Sequence, residues 1–369
     1  MGGAIARDLA AGGEFHVRVA DISGERLKKL AAEEGIETLA ADLSTTDGLD
    51  EALEGSELAV GAVPGSIGFS TVQRVLEAGK DIVDISFFPE DALELDVLAR
   101  KKGVRCLVDF GIAPGCSNLV CGRSLEEFRE VRSFSCMVGG LPEERRLPWE
   151  YQAPFSPSDV LEEYTRPARL VRDGRVLTLP PLTEPELVDF PGLGTLEAFL
   201  TDGLRSLLRL DGIPEMVEKT LRYPGYAGRI ELLRDTGFLS PRPLRCPSGE
   251  IVPLEVTSQL LFDAWRQAPG DRDLTVMRME VDAVDDGGHS VTRRWDLLDR
   301  YDTVSGTTSM ARTTGYTCTA GVRMLARGLW GSRGVHPPED VGRNATCFDF
   351  IMEELKKRGV EFRVRDLRE

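Results

Sequence analysis

Apolar and polar residues alternate along roughly the first 120 positions in a regular succession of strands and helices. In FHVRVAD, Phe15, Val17 and Val19 alternate with His16 and Arg18, which is the period-two pattern of a strand. Further strands are predicted at IETLAAD, ELAVGAVP, DIVDIS and VRCLVDF, and helices between them, as in GERLKKLAAEE and STVQRVLEAG. This alternation predicts an α/β fold in which a parallel sheet carries helices on both faces.

The pattern changes after about residue 125. Longer strands are predicted at VRSFSCMVGG, ARLVRDGRVLTLP, MVEKTLRYPG, TVMRMEVDAVDDGG and SVTRRWDLLDRY. The turn signals RDG and DGG join some of them as hairpins. A helical pattern returns from Met310 to Gly328 and again in NATCFDFIMEELKKRG. We therefore expect a first domain of residues 1–120, completed by about 310–369, and a second domain of residues 121–309 with a mainly antiparallel sheet.

Composition narrows the classes of partner. The 369 residues include 61 acidic and 45 basic side chains, so the formal net charge is −16. Such a field repels nucleic acid and anionic membranes and favours a cationic or zwitterionic substrate. No apolar run approaches the roughly 20 residues that span a bilayer. Seven scattered cysteines without a CxxC pair indicate reduced thiols and a cytoplasmic location, and three distant histidines predict no metal site.

Polar and small residues follow the predicted parallel strands, where doubly wound folds bind their ligands. Asp21 ends the first strand about 20 residues after Gly2, the position of a carboxylate that binds the adenosine ribose in dinucleotide folds. Such a carboxylate repels a 2′-phosphate, which favours NAD over NADP; the alternative is an aspartate that only caps a turn. The candidate cofactor residues at these strand ends are Asp21, Ile22, Asp42, Leu43, Ala62, Val63, Pro64 and Ser86.

The opening stretch MGGAIARDLA predicts a helix that begins at Gly2. A helix N-terminus offers free N–H groups and the positive end of its dipole to a pyrophosphate. The complete glycine-rich fingerprint also needs a preceding strand and two earlier glycines, and the sequence given has neither before Gly2.

Longer motifs resemble one known family. They are MGGAIARDLA, DFGIAPGCSN, MVGGLP, LEAFLTDGLRSLL, KTLRYPGYA, SMARTTGY and GVHPPEDVG. With these motifs the chain resembles the saccharopine dehydrogenase family, most closely its lysine 6-dehydrogenase-like branch, over essentially its whole length. The resemblance implies a Rossmann domain, here without its first strand, and a substrate domain whose sheet supports a homodimer. In it Gly2 matches the last fingerprint glycine, so we expect a strand and two glycines upstream, lost through a misassigned start or a truncation; a genuine short form is the alternative.

The resemblance also implies the chemistry, which is oxidation of a C–N bond by hydride transfer to a nicotinamide. Arg222 in KTLRYPGYA resembles a clamp for the substrate α-carboxylate, and Arg205 is a second candidate. Asp202, next to Thr201, either binds a substrate ammonium or caps the helix that follows it. Glu197 and Gly140 complete the substrate-binding set.

Two residues are candidates for the catalytic step itself. Asp109 ends a parallel strand near the expected nicotinamide, although it could equally cap the helix near Cys116. Tyr226 is at the position where, in the resemblance, lysine dehydrogenases have histidine. No residue is identified as the general base.

Two departures bear on the substrate. In the resemblance, saccharopine reductases have Asp at the position of Ala113 and Cys at the position of Val138. Lysine 6-dehydrogenase-like sequences are similar to this chain at both positions. We therefore expect NAD-dependent oxidation of L-lysine at its ε-amine to the semialdehyde. The alternatives are a saccharopine or carboxynorspermidine-type imine reductase and, in another class, a non-catalytic NAD-binding relative.

Overall fold

A computed structural model describes residues 1–155, 157–247, 249–268 and 270–367, with only the backbone of Pro157 and Ser158. Its helices are α1 (Gly2–Ala10), α2 (Gly24–Leu30), α3 (Thr46–Leu53), α4 (Gly65–Glu77), α5 (Asp96–Lys102), α6 (Cys116–Glu127), α7 (Pro157–Thr165), α8 (Tyr226–Asp235), α9 (Pro253–Ala264), α10 (Ser309–Ala326), α11 (Pro338–Arg343) and α12 (Ala345–Lys357). Short 3₁₀ helices cover Ala92–Leu95 and Arg205–Arg209. None of the described helices is both long and apolar enough to cross a membrane.

The strands are β1 (Val17–Asp21), β2 (Ile36–Ala40), β3 (Leu58–Gly61), β4 (Asp81–Asp84), β5 (Arg105–Leu107), β6 (Glu130–Pro142), β7 (Ala168–Arg172), β8 (Arg175–Leu179), β9 (Glu186–Phe190), β10 (Gly194–Leu200), β11 (Glu215–Arg222), β12 (Leu244–Cys246), β13 (Gly249–Ile251), β14 (Asp273–Val284), β15 (Ser290–Arg300), β16 (Gly334–His336) and β17 (Arg363–Leu367). The chain divides into two compact units. The first unit joins Met1–Glu127 to Ala311–Glu361, and the second unit joins Phe128–Met310 to Phe362–Glu369. The last two residues of the predicted segment 310–369 lie outside the described part of the chain.

The first unit is built on parallel strands. β1 pairs with β2, and a second sheet has the order β16-β5-β4-β3. Among the described strands no pairing joins the two sheets. A doubly wound fold has the strand order 3-2-1-4-5-6. Here β2 and β1 correspond to positions 3 and 2, and β3, β4 and β5 correspond to positions 4, 5 and 6. The predicted Rossmann-type α/β fold is confirmed, while the expected upstream strand stays a prediction.

The helices of the first unit pack as their apolar spacing predicts. Val72, Val75 and Leu76 lie on one face of α4 and are buried in a common core with Ile82 and Cys106, which matches the i, i+3, i+4 spacing of a core-facing helix. The sequence also sets where helices begin. Ser23 caps α2 by accepting a hydrogen bond from a backbone N–H of the first turn, as serine before a helix commonly does.

An ion-pair network fixes α1 to the C-terminal helices of the first unit. The carboxylate of Asp8 accepts hydrogen bonds from Arg323 Nη1 at 2.7 Å and from Arg358 Nε at 2.6 Å. Arg323 lies on α10, and Arg358 directly follows α12. The Arg323 side chain is almost completely buried and that of Asp8 is largely so. The network therefore ties residues more than 300 positions apart around α1.

The second unit contains a nine-stranded sheet. Its main order is β17-β15-β14-β6-β11-β10-β9, with β7 paired to β11 and β8 to β7. β6 and β11 run parallel, and the other neighbouring strands run antiparallel, so the predicted mainly antiparallel sheet is confirmed. Because side chains alternate along a strand, Glu218, Thr220 and Arg222 of β11 share one face.

Helices α7, α8 and α9 of the second unit enclose an aromatic cluster with segment 149–155. Tyr151, Tyr164, Tyr226 and Trp265 are buried together in it. Helix α8 begins at Tyr226, four residues earlier than the pattern IELLRDTGF indicates. The reason is a long-range cap, described below, that the local sequence does not reveal.

Candidate functional site

Asp21 lies at the carboxyl end of β1 with its side chain partly exposed. One carboxylate oxygen accepts a hydrogen bond from the Ser23 N–H at 2.7 Å, and the other lies 3.8 Å from Arg26 Nη1. The first contact shapes the turn into α2, yet free acceptor capacity remains for a ribose hydroxyl. The neighbouring Ile22 is mostly exposed.

Asp42 and Leu43 follow β2. The Asp42 carboxylate accepts hydrogen bonds from the hydroxyl and the backbone N–H of Ser44, and these bonds hold the pKa of Asp42 below its usual value. Leu43 is half-buried against the hydrophobic core of the first unit. Asp42 thus serves a turn in the structure, and its predicted contact with adenine stays a prediction.

The start of α1 lies beside the end of β3. A Cβ built on Gly2 would stand 3.9 Å from the Ala62 Cβ, and Ala62, Val63 and Pro64 connect β3 to α4. First-turn N–H groups of a helix have no partners within the helix. The small residues here leave them accessible to a pyrophosphate. The residues present therefore fit a dinucleotide, with α1 for the phosphates and Asp21 for the ribose.

Ser86 follows β4 and is fixed by a residue that sequence analysis did not identify. Its N–H and its hydroxyl donate to the two carboxylate oxygens of the buried Asp84, at 2.8 and 3.0 Å. A Cβ on Gly61 would stand 1.8 Å from an oxygen of that carboxylate. Glycine at position 61 is therefore required for Asp84 to adopt this conformation.

Asp109 follows β5 in an unusual backbone conformation. Its φ is 56° and its side chain is buried. A non-glycine residue in the left-handed region carries strain that often accompanies a functional site. Nearby Cys116 is buried, which raises the pKa of its thiol to about 12. That thiol remains protonated at neutral pH and is no nucleophile.

Arg222 ends β11 and is buried in the second unit. Its Nε and Nη2 donate to the Tyr164 hydroxyl at 3.1 and 2.9 Å, and Nη1 donates to the Leu221 carbonyl at 3.0 Å. Nη2 also donates to Glu163 Oε2 at 3.1 Å. The guanidinium carbon lies 4.5 Å from the centre of the Tyr151 ring, a cation–π distance. We call Arg222 and the aromatic residues 151, 164, 226 and 265 the arginine box.

The arginine box contains buried hydrogen-bond donors that have no acceptor. Among the described residues of the box, the Tyr226 hydroxyl and the Trp265 indole nitrogen have no acceptor, although the Tyr226 oxygen lies beside the Tyr164 hydroxyl. Unsatisfied buried polar groups are rare in native proteins and call for an explanation. Burial raises the pKa of Tyr226 well above its usual range, so its phenol acts as a donor and not as a base. The free donors match a ligand that accepts hydrogen bonds, such as a carboxylate.

Thr201 and Asp202 directly follow β10, and Thr201 contacts side chains of β11 on the face that carries Arg222. The Thr201 hydroxyl donates to Glu218 Oε2 at 2.7 Å and lies 2.8 Å from the Thr220 hydroxyl. Both oxygens of Asp202 accept hydrogen bonds from the Arg169 guanidinium at 2.8 Å. Asp202 is therefore already paired, and the N-cap position of the following 3₁₀ helix belongs to Leu204 instead.

The other predicted substrate residues have packing or capping contacts. Glu197 Oε2 accepts the Ala227 N–H at 3.0 Å and so caps α8, which explains the early start of that helix. A Cβ on Gly140 would stand 2.6 Å from Met310 Cε, so packing alone accounts for this glycine. Arg205 begins its 3₁₀ helix with a φ of 54° and is half-buried.

Sequence analysis missed most of the arginine box. Tyr151, Tyr164 and Trp265 come from three separate segments, and each reads as an ordinary core residue. Glu163 reads as a surface residue of the helix LEEYT. Three of the six tyrosines lie around Arg222 in the fold, and only the tertiary structure shows that they do.

Taken together, a doubly wound parallel unit with a dinucleotide-compatible edge and a second unit with a mainly antiparallel sheet and a buried arginine are typical of one class, the two-domain nicotinamide-dependent oxidoreductases. Family comparison agrees. Residues 1–107 match the saccharopine dehydrogenase NADP binding domain, and residues 111–360 match the saccharopine dehydrogenase C-terminal domain. The chain belongs to the saccharopine dehydrogenase family.

Relatives and solved structures are distant in sequence. A saccharopine dehydrogenase [NADP(+), L-glutamate-forming] of Schizosaccharomyces pombe is 22% identical, over 86% of this chain and 86% of its own. A carboxynorspermidine synthase of Vibrio alginolyticus is 29% identical, but over only 38% and 34%. The apo saccharopine dehydrogenase (L-Glu forming) of Saccharomyces cerevisiae superposes with a TM-score of 0.81 at 19% identity, over 99% and 98% of the two chains. The last comparison shows that the fold is shared.

Family membership settles the reaction class. The chain is an NAD(P)-dependent oxidoreductase that acts on the C–N bond of an amino-acid substrate.

Proposed function

We propose that the enzyme oxidises an amino acid at a C–N bond and that Arg222 binds the substrate carboxylate. The observation that carries this proposal is the arginine box, where a buried guanidinium lies beside two buried donors without an acceptor. A carboxylate is the substrate group whose two oxygens accept from such a set.

The residues of each unit support one part of the chemistry. A bound nicotinamide dinucleotide accepts the hydride from the carbon that carries the amine. In the first unit, α1 and Asp21 would hold the pyrophosphate and the ribose. In the second unit, Arg222 would fix the substrate at its carboxylate. The amine nitrogen loses a proton as the C–N bond becomes an imine; water then adds to the imine carbon, and the nitrogen leaves as ammonia from a primary amine or as an amine from a secondary one.

The substrate we propose first is L-lysine, oxidised at its ε-amine. The formal net charge of −16 favours a substrate that carries a cationic end as well as a carboxylate. Ala113 and Val138 also lack the polar groups expected of saccharopine reductases. The second candidate is saccharopine, which the name of the Schizosaccharomyces relative favours. A carboxynorspermidine-type imine reductase is a further alternative.

Different observations favour NAD and NADP as the cofactor. The free acceptor capacity of Asp21 favours NAD, because the carboxylate repels a 2′-phosphate. The family model and the name of the relative favour NADP, and Arg26 beside Asp21 is a cation that a 2′-phosphate could use. We keep NAD as the first proposal. A homodimer and a cytoplasmic location also stay proposals.

Steady-state kinetics test the function. The purified enzyme should reduce NAD⁺ or NADP⁺ with L-lysine, with saccharopine, or with both, and the ratio of the kcat/KM values identifies the substrate. Arg222→Lys should lower kcat/KM at least about tenfold, because Lys cannot reproduce the planar fork. Arg175→Lys, on the exposed strand β8, is the matched control. Turnover of no amine by a folded enzyme that binds nucleotide would contradict the proposal.

A further inference from the structure

A carboxylate of the chain already occupies part of the arginine box. Glu163 and Tyr164 are neighbours on α7, and both contact Arg222. The Tyr164 side chain is buried, whereas that of Glu163 is 21% exposed against 4% for Arg222. Glu163 is therefore on the solvent side of the guanidinium, where it contacts both the solvent and Arg222.

The hydrogen bonds of Arg222 leave little room for a second acceptor. A guanidinium has five N–H donors. Nε and Nη2 bond Tyr164, Nη2 also bonds Glu163 and, at 3.5 Å, the Tyr151 hydroxyl, and Nη1 bonds the Leu221 carbonyl. One N–H of Nη1 remains. A carboxylate that binds through both its oxygens needs two adjacent donors, so it has to take the place of Glu163.

Two features make that exchange favourable. Glu163 leaves the Tyr226 hydroxyl and the Trp265 indole nitrogen without an acceptor, and a ligand in their reach removes the cost of those unsatisfied donors. Burial also raises the pKa of Glu163, against the opposing effect of Arg222. A carboxylate with a desolvation cost gains when its side chain turns into water.

We propose that Glu163 is a built-in competitor, which occupies the carboxylate subsite at Arg222 until the substrate displaces it and thereby sets the affinity for substrate. The inference rests on the proposed function, because it assumes that Arg222 binds the substrate carboxylate. Glu163 thus acts as a specificity residue. It weakens every ligand that binds through a carboxylate and leaves ligands without one unaffected.

Binding measured by tryptophan fluorescence tests this without requiring turnover. Trp265 lies in the arginine box and Trp149 packs against it at 5.9 Å between ring centroids, so both report on occupancy. The probe is L-norleucine, an amino acid with one carboxylate, and n-pentylamine, which lacks it, is the matched ligand. In Glu163→Gln the dissociation constant for L-norleucine should fall about tenfold, since a neutral amide competes less well for a guanidinium. The constant for n-pentylamine should not change.

The control variant is Glu162→Gln, the exposed neighbour that pairs with Arg166 on the surface, and it should bind both probes as the native enzyme does. Weaker L-norleucine binding by Glu163→Gln would show that Glu163 orients Arg222 instead, and an unchanged constant would show that it does not compete; either result overturns the inference. A different result bears on the proposed function itself. If Arg222→Lys binds L-norleucine as tightly as the native enzyme, Arg222 is not the carboxylate site.

Discussion

At the scale of single residues, Glu218 is the buried carboxyl group with the clearest titration behaviour. It lies on β11 with 7% of its surface exposed, and its carboxyl accepts a hydrogen bond from the Thr201 hydroxyl. Burial raises its pKa from a usual 4.5 to about 8. The folded protein therefore keeps this group protonated at neutral pH, whereas the unfolded chain ionises it.

This difference predicts a loss of stability as the pH rises. Between about pH 4.5 and pH 8 the folded state binds more protons than the unfolded state, so the free energy of unfolding falls with increasing pH. Glu218→Gln removes the titrating group and should leave stability at pH 5 nearly unchanged. At pH 8 the variant should be more stable than the native protein by a few kcal/mol, since each pKa unit corresponds to about 1.4 kcal/mol.

Urea denaturation at pH 5 and pH 8 measures the effect. Glu250→Gln, exposed on β13, is the control and should follow the native protein at both values. A Glu218→Gln variant that loses stability equally at both pH values would show that the carboxyl is ionised in the folded state.

The role of a single residue could be predicted from the sequence only where its neighbours in the sequence determine that role. Ser23 as a helix cap and Asp21 as a strand-end carboxylate follow from neighbours in the sequence. The pairing of Asp202 with Arg169 and of Arg222 with Tyr164 joins residues 33 and 58 positions apart. Those partners depend on strand register and helix packing, which a single sequence does not encode locally.

At the scale of elements, α1 depends on its ion pairs. The helix has nine residues, and isolated helices of this length are unstable in water. Its apolar side, with Ile5 and Leu9, is buried, and Asp8 bonds Arg323 and Arg358. The helix that would receive the pyrophosphate is thus held by the C-terminal helices.

Asp8→Asn should therefore destabilise the first unit by about 2–4 kcal/mol, because two largely buried arginines lose their shared carboxylate. Thermal or urea unfolding measures this loss. Glu25→Gln is the control, since its pair with Lys29 is highly exposed and is worth less than about 0.5 kcal/mol. A loss of equal size in both variants would show that the network contributes no more than a surface pair.

Periodicity revealed these elements well where a strand or helix buries one face. It identified the parallel strands β1 to β5 and the long antiparallel ones, and it located α10 and α12 in the tail, but it did not identify the parallel strand β16. It did not identify β9, β10 or the hairpin β12–β13, whose pattern of exposure is irregular. The start of α8 also escaped it, because the cap comes from Glu197, 30 positions away.

At the scale of the whole molecule, the residues proposed to bind nucleotide and those proposed to bind substrate belong to different compact units. The nucleotide-compatible residues lie at strand ends of the first unit, and the arginine box lies wholly in the second. Composition predicted the repulsion of polyanions but gave no hint of this division. The change from alternating strands and helices to long strands near residue 125 did.

This division predicts where nucleotide binding slows amide hydrogen exchange. With saturating NAD⁺ or NADP⁺, exchange should slow in residues 1–10, 21–30 and 61–68 of the first unit, because bound ligand suppresses local opening. Residues 244–251 of the second unit serve as an internal reference and should exchange at the same rate. Mass spectrometry of peptic fragments resolves these segments.

The same experiment separates the two nucleotides. Asp21→Ala should weaken the protection by NAD⁺ more than that by NADP⁺, because the carboxylate accepts from the ribose hydroxyls of the former and repels the 2′-phosphate of the latter. Asp47→Ala, exposed in the first turn of α3, should change neither. If both nucleotides protect the Asp21→Ala variant as they protect the native enzyme, Asp21 caps its turn through Ser23 and takes no part in cofactor choice. Slowing in the arginine box without any in residues 1–10 would instead assign nucleotide binding to the second unit.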